Sequence, residues 1–320
     1  MRIISSFMKL PALLLSVCFF SCVPATREIK PDPSPVVISL LGQPYYEPER
    51  TTALQHRLDS NLQVARKNFE ENDSEENYIW YGRRLGYLSR FSEAIDVFSR
   101  GLEKFPQSYR LLRHRGHRFI SLRLFDRAID DLTHAAALMP AYPGEIEPDG
   151  QPNRINQPLG TTQFNIWYHL GLAYYLKGDF EKAELAYIEC LKASQNDDLL
   201  VATLDWFYMT YQREGKTELA EGLLGNVTDA MTIIENDSYY KRLLLYQGNL
   251  PPEDLLKVTA DDPDPDLTLA TQGYGVGNWY LYHGDTTNAI AIFEKVISGK
   301  HFSSFGFIAA EADLARMKKN

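Results

Sequence analysis

The sequence predicts an all-α protein, a right-handed α-solenoid of about six helix pairs with a capping helix at each end. Three observations support this prediction. The hydrophobic share of 44% and the aromatic share of 12% suit a globular core. Small residues alternate with large aromatic residues in apolar, helix-forming contexts. Most directly, four pairs of identical residues are each 34 positions apart: Gly82 and Gly116, Phe91 and Phe125, Ala94 and Ala128, and Pro106 and Pro140.

Residues 1–22 form an export signal. Arg2 and Lys9 give it a positive start, and the apolar stretch 10–20 is shorter than the roughly 20 residues that a membrane span needs. The stretch ends in FFSC, which resembles the lipobox of bacterial lipoproteins. This resemblance implies lipidation of Cys22 and an exported, membrane-anchored lipoprotein that faces the periplasm or the cell exterior. Because Phe19 stands where lipoboxes usually have Leu, an ordinary signal peptide with an incidental cysteine is the alternative.

Residues 23–48 are expected to be a spacer between the anchor and the folded body. This segment contains six prolines and no helical periodicity. Proline-rich chain is extended and semi-rigid, which suits a tether. A strand over Val36–Leu41 is compatible with the sequence, but no pairing signal supports it.

Residues 49–320 form the predicted solenoid. The segment 164–197 resembles the tetratricopeptide repeat at eight signature positions: Trp167, Leu170, Gly171, Tyr174, Gly178, Phe180, Ala183 and Tyr187. The same resemblance places further units near 75–108, 109–142, 201–234 and 270–302, a degenerate unit at 235–269 and an insertion at 143–163. It implies two antiparallel helices per unit, with glycine in one helix and alanine in the other at their crossing. Amphipathic helices over 51–70 and 303–319 are the expected caps.

A closer resemblance rests on the stretches NIWYHLGLAYYLKGDF, EIEPDGQPN and YGVGNWYLYHG. They look like a family of exported bacterial repeat lipoproteins with no assigned activity. This resemblance spans most of residues 75–315 and supports the fold. It contains no catalytic motif that could be transferred to this chain.

The remaining composition argues against several functional classes. A formal net charge of −9 gives no general attraction for phosphate backbones, so we expect no nucleic-acid partner. The chain has no nucleophile elbow, phosphate loop, zinc-protease helix or paired CxxC motif, so we expect no enzyme and no cofactor. His114 and His117 share a helix face, but the arginines around them would repel a metal cation. Cys190 is the lone cysteine of the body, so no internal disulfide is possible there.

The tetratricopeptide resemblance also implies which residues face a partner. Such repeats bind peptides in a concave groove lined by their first helices, and the corresponding positions here are Arg83, Tyr87, Arg110, Arg113, His117, Tyr168, Tyr175, Tyr274, Asn278 and Tyr282. The first half of this groove is basic and the second half is rich in tyrosine. Arginines bind carboxylates in a bidentate manner, so we expect a protein or peptide partner with acidic or C-terminal carboxylate character.

The insertion offers an alternative explanation for the basic groove. It could fold back over the first helices, which would neutralise the groove from within. Its acids would then pair with three arginines: Glu145, Glu147 and Asp149 with Arg110, Arg113 and Arg118. The leading functional prediction is a protein-binding scaffold at a bacterial membrane. The alternatives are a glycan-binding component of envelope carbohydrate or nutrient handling, and a cryptic hydrolase.

Overall fold

The structure is a computed structural model that describes residues 34–141, 144–257, 262 and 264–318. The predicted signal segment, with Cys22, lies outside these residues, as does the start of the spacer. None of the helices in the described ranges combines the length and the apolar character that a membrane crossing requires.

The described residues form an all-α solenoid of six consecutive helix pairs with one additional helix at each end. Consecutive helices pack on each other along most of the series, as the 34-residue period predicts, except that the tenth helix packs on the eighth and not on the ninth. The helices are α1 (Thr52–Glu71), α2 (Glu75–Tyr87), α3 (Phe91–Lys104), α4 (Tyr109–Ser121), α5 (Phe125–Leu138), α6 (Thr162–Lys177), α7 (Phe180–Ala193), α8 (Asp197–Arg213), α9 (Thr217–Leu224), α10 (Asp237–Tyr246), α11 (Pro252–Leu256), α12 (Pro265–Tyr282), α13 (Thr286–Ile297) and α14 (Phe305–Met317).

Glycines allow the two helices of a pair to approach closely. A Cβ atom at Gly82 would lie 2.3 Å from the ring of Phe98, and one at Gly171 would lie 2.7 Å from the ring of Tyr187. Neither position has room for a side chain, which explains why the first helix carries glycine there. The alanines predicted at the crossings are fully buried: Ala94, Ala128 and Ala183.

The turn inside each helix pair contains one residue in the left-handed conformation. Glycine takes this place in the later pairs, as at Gly178 with φ +88°. Ser89 and Arg123 hold it in the first two pairs, each with φ +62°. A side chain at positive φ is strained, so contacts elsewhere must stabilise these two turns.

The described end of the predicted spacer is part of the folded body. β1 (Val37–Ile38) pairs antiparallel with β2 (Pro44–Tyr45), which places a short strand inside the stretch where the sequence only allowed one. The ring of Tyr45 stacks on Phe302, with 5.4 Å between the ring centroids, and Val37 is buried. These apolar contacts outweigh the extended preference of the prolines. The spacer predicted over 23–48 therefore does not include residues 34–48.

The C-terminal helix α14 does more than cap the solenoid. It packs on α12 and α13, as a cap would, but it also contacts α6 on the inner side of the solenoid. Arg316 donates to the carbonyl oxygen of Leu176 at the end of α6, at 2.7 Å. Asp313 binds Arg213 at the end of α8, at 2.6 Å. Helix α14 thus fills the space between the first helices of the later pairs.

Candidate functional site

The insertion lies across the inner side of the first two helix pairs. Arg83 donates to the carbonyl oxygen of Pro148 at 2.8 Å, and Arg84 donates to that of Gly150 at 2.9 Å. A Cβ atom at Gly150 would lie 1.4 Å from the hydroxyl oxygen of Tyr87, so only glycine fits there. The structure therefore has the fold-back that the sequence left as an alternative, and it covers Arg83 and Tyr87.

One ion pair connects the insertion to α4. Nη2 of Arg113 lies 2.9 Å from Oε1 of Glu147, and both side chains are only 9% exposed. The Nη1 atom of Arg113 donates to Nδ1 of His114 at 2.9 Å, which requires a neutral imidazole. Burial and the neighbouring arginines lower the pKa of His114 well below its ordinary value. The central arginine of the predicted groove is thus occupied by partners within the chain.

The other two arginines of the fold-back hypothesis have different partners. Arg110 binds Glu76 of α2 at 2.5 Å, so its pairing with the insertion was predicted wrongly. Arg118 lies over the ring of Phe91, with 5.4 Å between the guanidinium carbon and the ring centroid. Glu145 accepts from the hydroxyl of Tyr109 at 2.8 Å instead of binding an arginine. A helix of the preceding repeat is simply closer to Arg110 than the insertion is.

A cavity of about 340 Å³ remains open between the insertion and the inner helices. First helices of five successive pairs, from α2 to α10, contribute to its wall, and Phe305 at the start of α14 closes one side. Four of the predicted groove residues line it: Arg83, Arg113, His117 and Tyr168. Tyr87 lines a smaller adjoining cavity of about 110 Å³. The structure brings these five residues together at the two adjoining cavities.

Two histidines from successive helix pairs meet at the cavity. The ring centroids of His117 and His169 are 4.4 Å apart, and Phe305 packs against both rings. Nδ1 of His169 donates to the carbonyl oxygen of Asn165 at 2.5 Å, so its Nε2 atom is a hydrogen-bond acceptor. Burial, followed by nearby arginines, lowers the pKa of both histidines well below the ordinary value. Both rings are therefore neutral at pH 7.

The opposite wall of the cavity is acidic and aromatic. Asp149 and Glu235 line it, and burial raises the pKa of both carboxyl groups. The negative charge of Glu147 also raises the pKa of Asp149, and that of Asp149 raises the pKa of Glu235. The hydroxyl oxygens of Tyr168 and Tyr239 are 3.1 Å apart. Sequence reasoning missed Glu235 and Tyr239 because they belong to the degenerate repeat.

The remaining predicted groove residues form an internal network under α14. The hydroxyls of Tyr274 and Tyr175 are 2.8 Å apart, and Tyr274 donates to Asp313 of α14 at 2.9 Å. The side-chain oxygen of Asn278 accepts from the hydroxyl of Tyr282 at 2.8 Å and from Arg213. Tyr282 also borders a second cavity of about 370 Å³, near the ends of α8 and α10.

Possible metal ligands and a single thiol are the other reactive groups among the described residues. Within the described ranges, no group of three or more His, Cys, Asp or Glu side chains is arranged to hold a metal ion. Burial raises the pKa of the Cys190 thiol to about 12, which keeps it protonated and unreactive.

Comparisons with known proteins give one family match and a structural match of low similarity. The sequence profile of a family described as tetratricopeptide repeat matches residues 164–197. A solved structure with a similar fold is YrrB, described as a tetratricopeptide protein with an unusual peptide-binding site. The two chains are 15% identical, the match covers 81% of this chain and 98% of YrrB, and the TM-score is 0.40. No curated protein matches this sequence. Residues 164–197 thus match the tetratricopeptide repeat, and the described residues of the chain form an all-α solenoid of helix pairs.

Proposed function

We propose that this protein is a scaffold, anchored to a bacterial membrane, that binds a segment of a partner protein in the cavity between the insertion and the inner helices. The observation that supports this most is the position of the cavity. First helices of successive pairs form its wall, and these helices present the peptide-binding surface in the repeat family that residues 164–197 match.

The size of the cavity limits what the partner inserts. Ligand pockets typically measure about 300–1,000 Å³, so a cavity of about 340 Å³ is at the small end. It takes one or two side chains or a chain end. An extended peptide along the whole inner side would collide with α14, which occupies that side from α6 to α12.

A capture experiment tests the binding site. The full chain is used to retain proteins from detergent-solubilised membranes of its source cells, and wild type is compared with Asn165→Trp. Asn165 lines the cavity, so an indole there fills it. The matched control is Asn226→Trp, because Asn226 is exposed in a turn outside the cavity. Partners kept by wild type and the control but lost by Asn165→Trp support the proposal; retention by all three contradicts it.

The membrane anchor is a separate part of the proposal and rests on the lipobox resemblance. Cys22→Ala removes the thiol that would carry the lipid. We expect wild type in the membrane fraction of the source cells and Cys22→Ala in the soluble fraction of the exported proteins. Equal membrane association of both forms would contradict lipidation, while the capture result would be unaffected.

A further inference from the structure

Two buried hydrogen-bond acceptors at the cavity have no partner among the described residues. Glu147 is 9% exposed, and its Oε2 atom accepts no hydrogen bond. His169 is 4% exposed, and its Nε2 atom accepts none either. Both residues line the cavity. Buried polar groups are nearly always satisfied in native proteins, so two free acceptors on residues that line one cavity indicate a donor ligand.

Several donors that line the cavity are used within the chain. Both terminal nitrogens of Arg113 are bound, one to Glu147 and one to His114. Arg83 donates to the carbonyl oxygen of Pro148. Nε of Arg113 is the buried donor that is left over at this wall in the described structure. Among the fully buried polar atoms of the residues that line the cavity, two acceptors, Glu147 Oε2 and His169 Nε2, and one donor, Arg113 Nε, are thus left free in the described structure.

The charges around the cavity point the same way. Arg83 and Arg113 face three carboxylates, Glu147, Asp149 and Glu235, which gives a formal sum of 2 − 3 = −1. The two histidines add no charge because both are neutral. Burial, and then the negative charges of Asp149 and Asp198, raise the pKa of Glu235, so the potential at this carboxyl group is negative. At Asp149 burial raises the pKa, while the largest effect of a neighbouring charge is that of Arg83, which lowers it.

Aromatic side chains complete a setting for a cation. Tyr168, Tyr239, Phe164 and Phe305 line the cavity, and the ring centroids of Tyr168 and Phe305 are 6.2 Å apart. Aromatic faces attract ammonium and guanidinium groups, and they also pack against the apolar stem of a lysine or arginine side chain.

We infer that the cavity binds a cationic hydrogen-bond donor, an alkylammonium or guanidinium group presented as a lysine or arginine side chain of the partner. The inference rests on the proposed function for the source of the cation. This cationic ligand has the opposite charge to the acidic partner that the basic residues of the groove predicted. Glu147 and His169 accept from the charged group, while Asp149 and Glu235 attract it to the opening.

Calorimetric titration of the full chain with small probes tests this inference without any protein partner. The probes are n-butylammonium, n-butylguanidinium and, as the anion of matching size, butyrate. We expect both cations to bind and butyrate not to bind. Asp149→Asn/Glu235→Gln should weaken binding of n-butylammonium by about tenfold or more. The control, Glu218→Gln/Asp229→Asn, removes two exposed carboxylates outside the cavity and should bind as wild type does.

Each other outcome overturns one part of the inference: the charge of the ligand, the need for a ligand, or the source of the cation. Binding of butyrate without n-butylammonium would show that the arginines select an anion. Binding of no probe would mean that water satisfies the free acceptors, and it would leave the capture experiment as an independent test of the scaffold. The peptide acetyl-Ala-Ala-Lys-Ala-Ala-amide is compared with putrescine to identify the source of the cation. Tighter binding of the peptide supports a partner side chain, whereas tighter binding of putrescine would replace it with a free polyamine.

Discussion

Tyr168 and Tyr274 occupy equivalent places in two helix pairs and have different surroundings. Each stands three residues before the glycine that packs against the second helix, Gly171 or Gly277. Tyr168 lines the open cavity and meets another hydroxyl there. Tyr274 is fully buried and donates to Asp313 of α14. The same repeat position is therefore a cavity wall in the first half of the inner side and core in the second half.

The helix α14 causes this difference. Where it lies, polar side chains of the first helices and of one turn find partners inside the chain: Arg123 with Glu311, Arg213 with Asp313, and Tyr274 with Asp313. At the cavity, which only the first residue of α14, Phe305, reaches, the described part of the insertion supplies one such ion pair and leaves buried acceptors free. A polar residue at a groove position is thus a binding residue only if the chain itself does not cover it.

The largest expected effect comes from breaking a buried ion pair at α14, in the part of the inner side that this helix fills, which we call the filled half. Arg123→Gly removes the partner of Glu311, a carboxylate with no exposed area, and should lower the free energy of unfolding by about 3–5 kcal/mol, because breaking a buried pair leaves one charge uncompensated. Relief of the positive φ at position 123 cannot offset this loss. Urea denaturation measures it.

Ser89→Gly is the matched control, because Ser89 has the same φ of +62° one repeat earlier. It loses only a side-chain hydrogen bond from Arg50, so its stability should stay within about 1 kcal/mol of wild type. Equal effects of the two substitutions would show that the pair under α14 contributes nothing to stability.

The next largest effect is expected where the insertion covers the cavity, in the part of the inner side that we call the open half. Gly150→Ala places a methyl group 1.4 Å from the Tyr87 hydroxyl and should cost about 1–3 kcal/mol through overpacking. We also expect reduced partner capture, because the insertion must move away from α2. Gly222→Ala in α9 is the control: its Cβ meets no atom within 4 Å, and alanine is favoured over glycine in a helix by about 1 kcal/mol. A neutral or stabilising Gly150→Ala would mean that the insertion is not held against Tyr87.

A smaller effect appears as pH dependence in the open half. The pKa of His169 is held well below its ordinary value, so below about pH 6.5 the unfolded chain binds a proton that the native state does not. Stability then falls on acidification, by about 1 kcal/mol between pH 6.5 and 5.5 for one such histidine. His169→Asn should remove this part of the dependence, as followed by urea denaturation at both pH values.

Two comparisons make the pH prediction specific. His134→Asn changes an exposed histidine and should retain the wild-type dependence. In the filled half, burial would raise the pKa of Asp313, but Arg213 and Arg316 hold it below its ordinary value of 3.8. Its contribution is therefore complete above that value and is lost only at lower pH. Parallel curves for wild type and His169→Asn would contradict the assignment of a buried, neutral ring.

The smallest effect is expected at Arg110, which was predicted to bind the partner but pairs with Glu76. Arg110→Gln should cost about 0.5–1 kcal/mol, as for other partly exposed pairs, and should leave partner capture unchanged. Loss of capture in this variant would extend the binding surface beyond the cavity, onto the outer part of α4.

The helix pairs could be predicted from the sequence because their determinants are local. Gly82 and Ala94 recur with a fixed spacing, and each repeat uses them for the same contact. The charge of the insertion also indicated its position, since the acidic stretch EIEPDG follows the arginine-rich helix α4 with only α5 between them. In both cases the residues that form the contact lie within one repeat or close to it in the sequence.

The inner position of α14 could not be predicted in the same way. Its apolar stripe shows that one face is buried but not which helices bury it. Glu311 and Asp313 look like exposed residues on the polar face, yet both are buried against arginines more than 90 positions away. His169 was missed for a related reason: α6 is buried at nearly every position, so periodicity does not single out its cavity-facing residues.

The most direct test of the division of the inner side compares the accessibility of an introduced thiol in its two halves. Asn165→Cys and Asn278→Cys are made separately in a full chain whose three natural cysteines are replaced by alanine, and the rate of maleimide labelling is measured for the native protein. Asn165 borders the open cavity, whereas Asn278 has no exposed area under α14. We predict that the thiol at position 165 is labelled rapidly and that the thiol at position 278 is labelled only when the protein unfolds. Similar rates at both positions would show that α14 does not close the second half, and would contradict the division of the inner side into a binding half and a filled half.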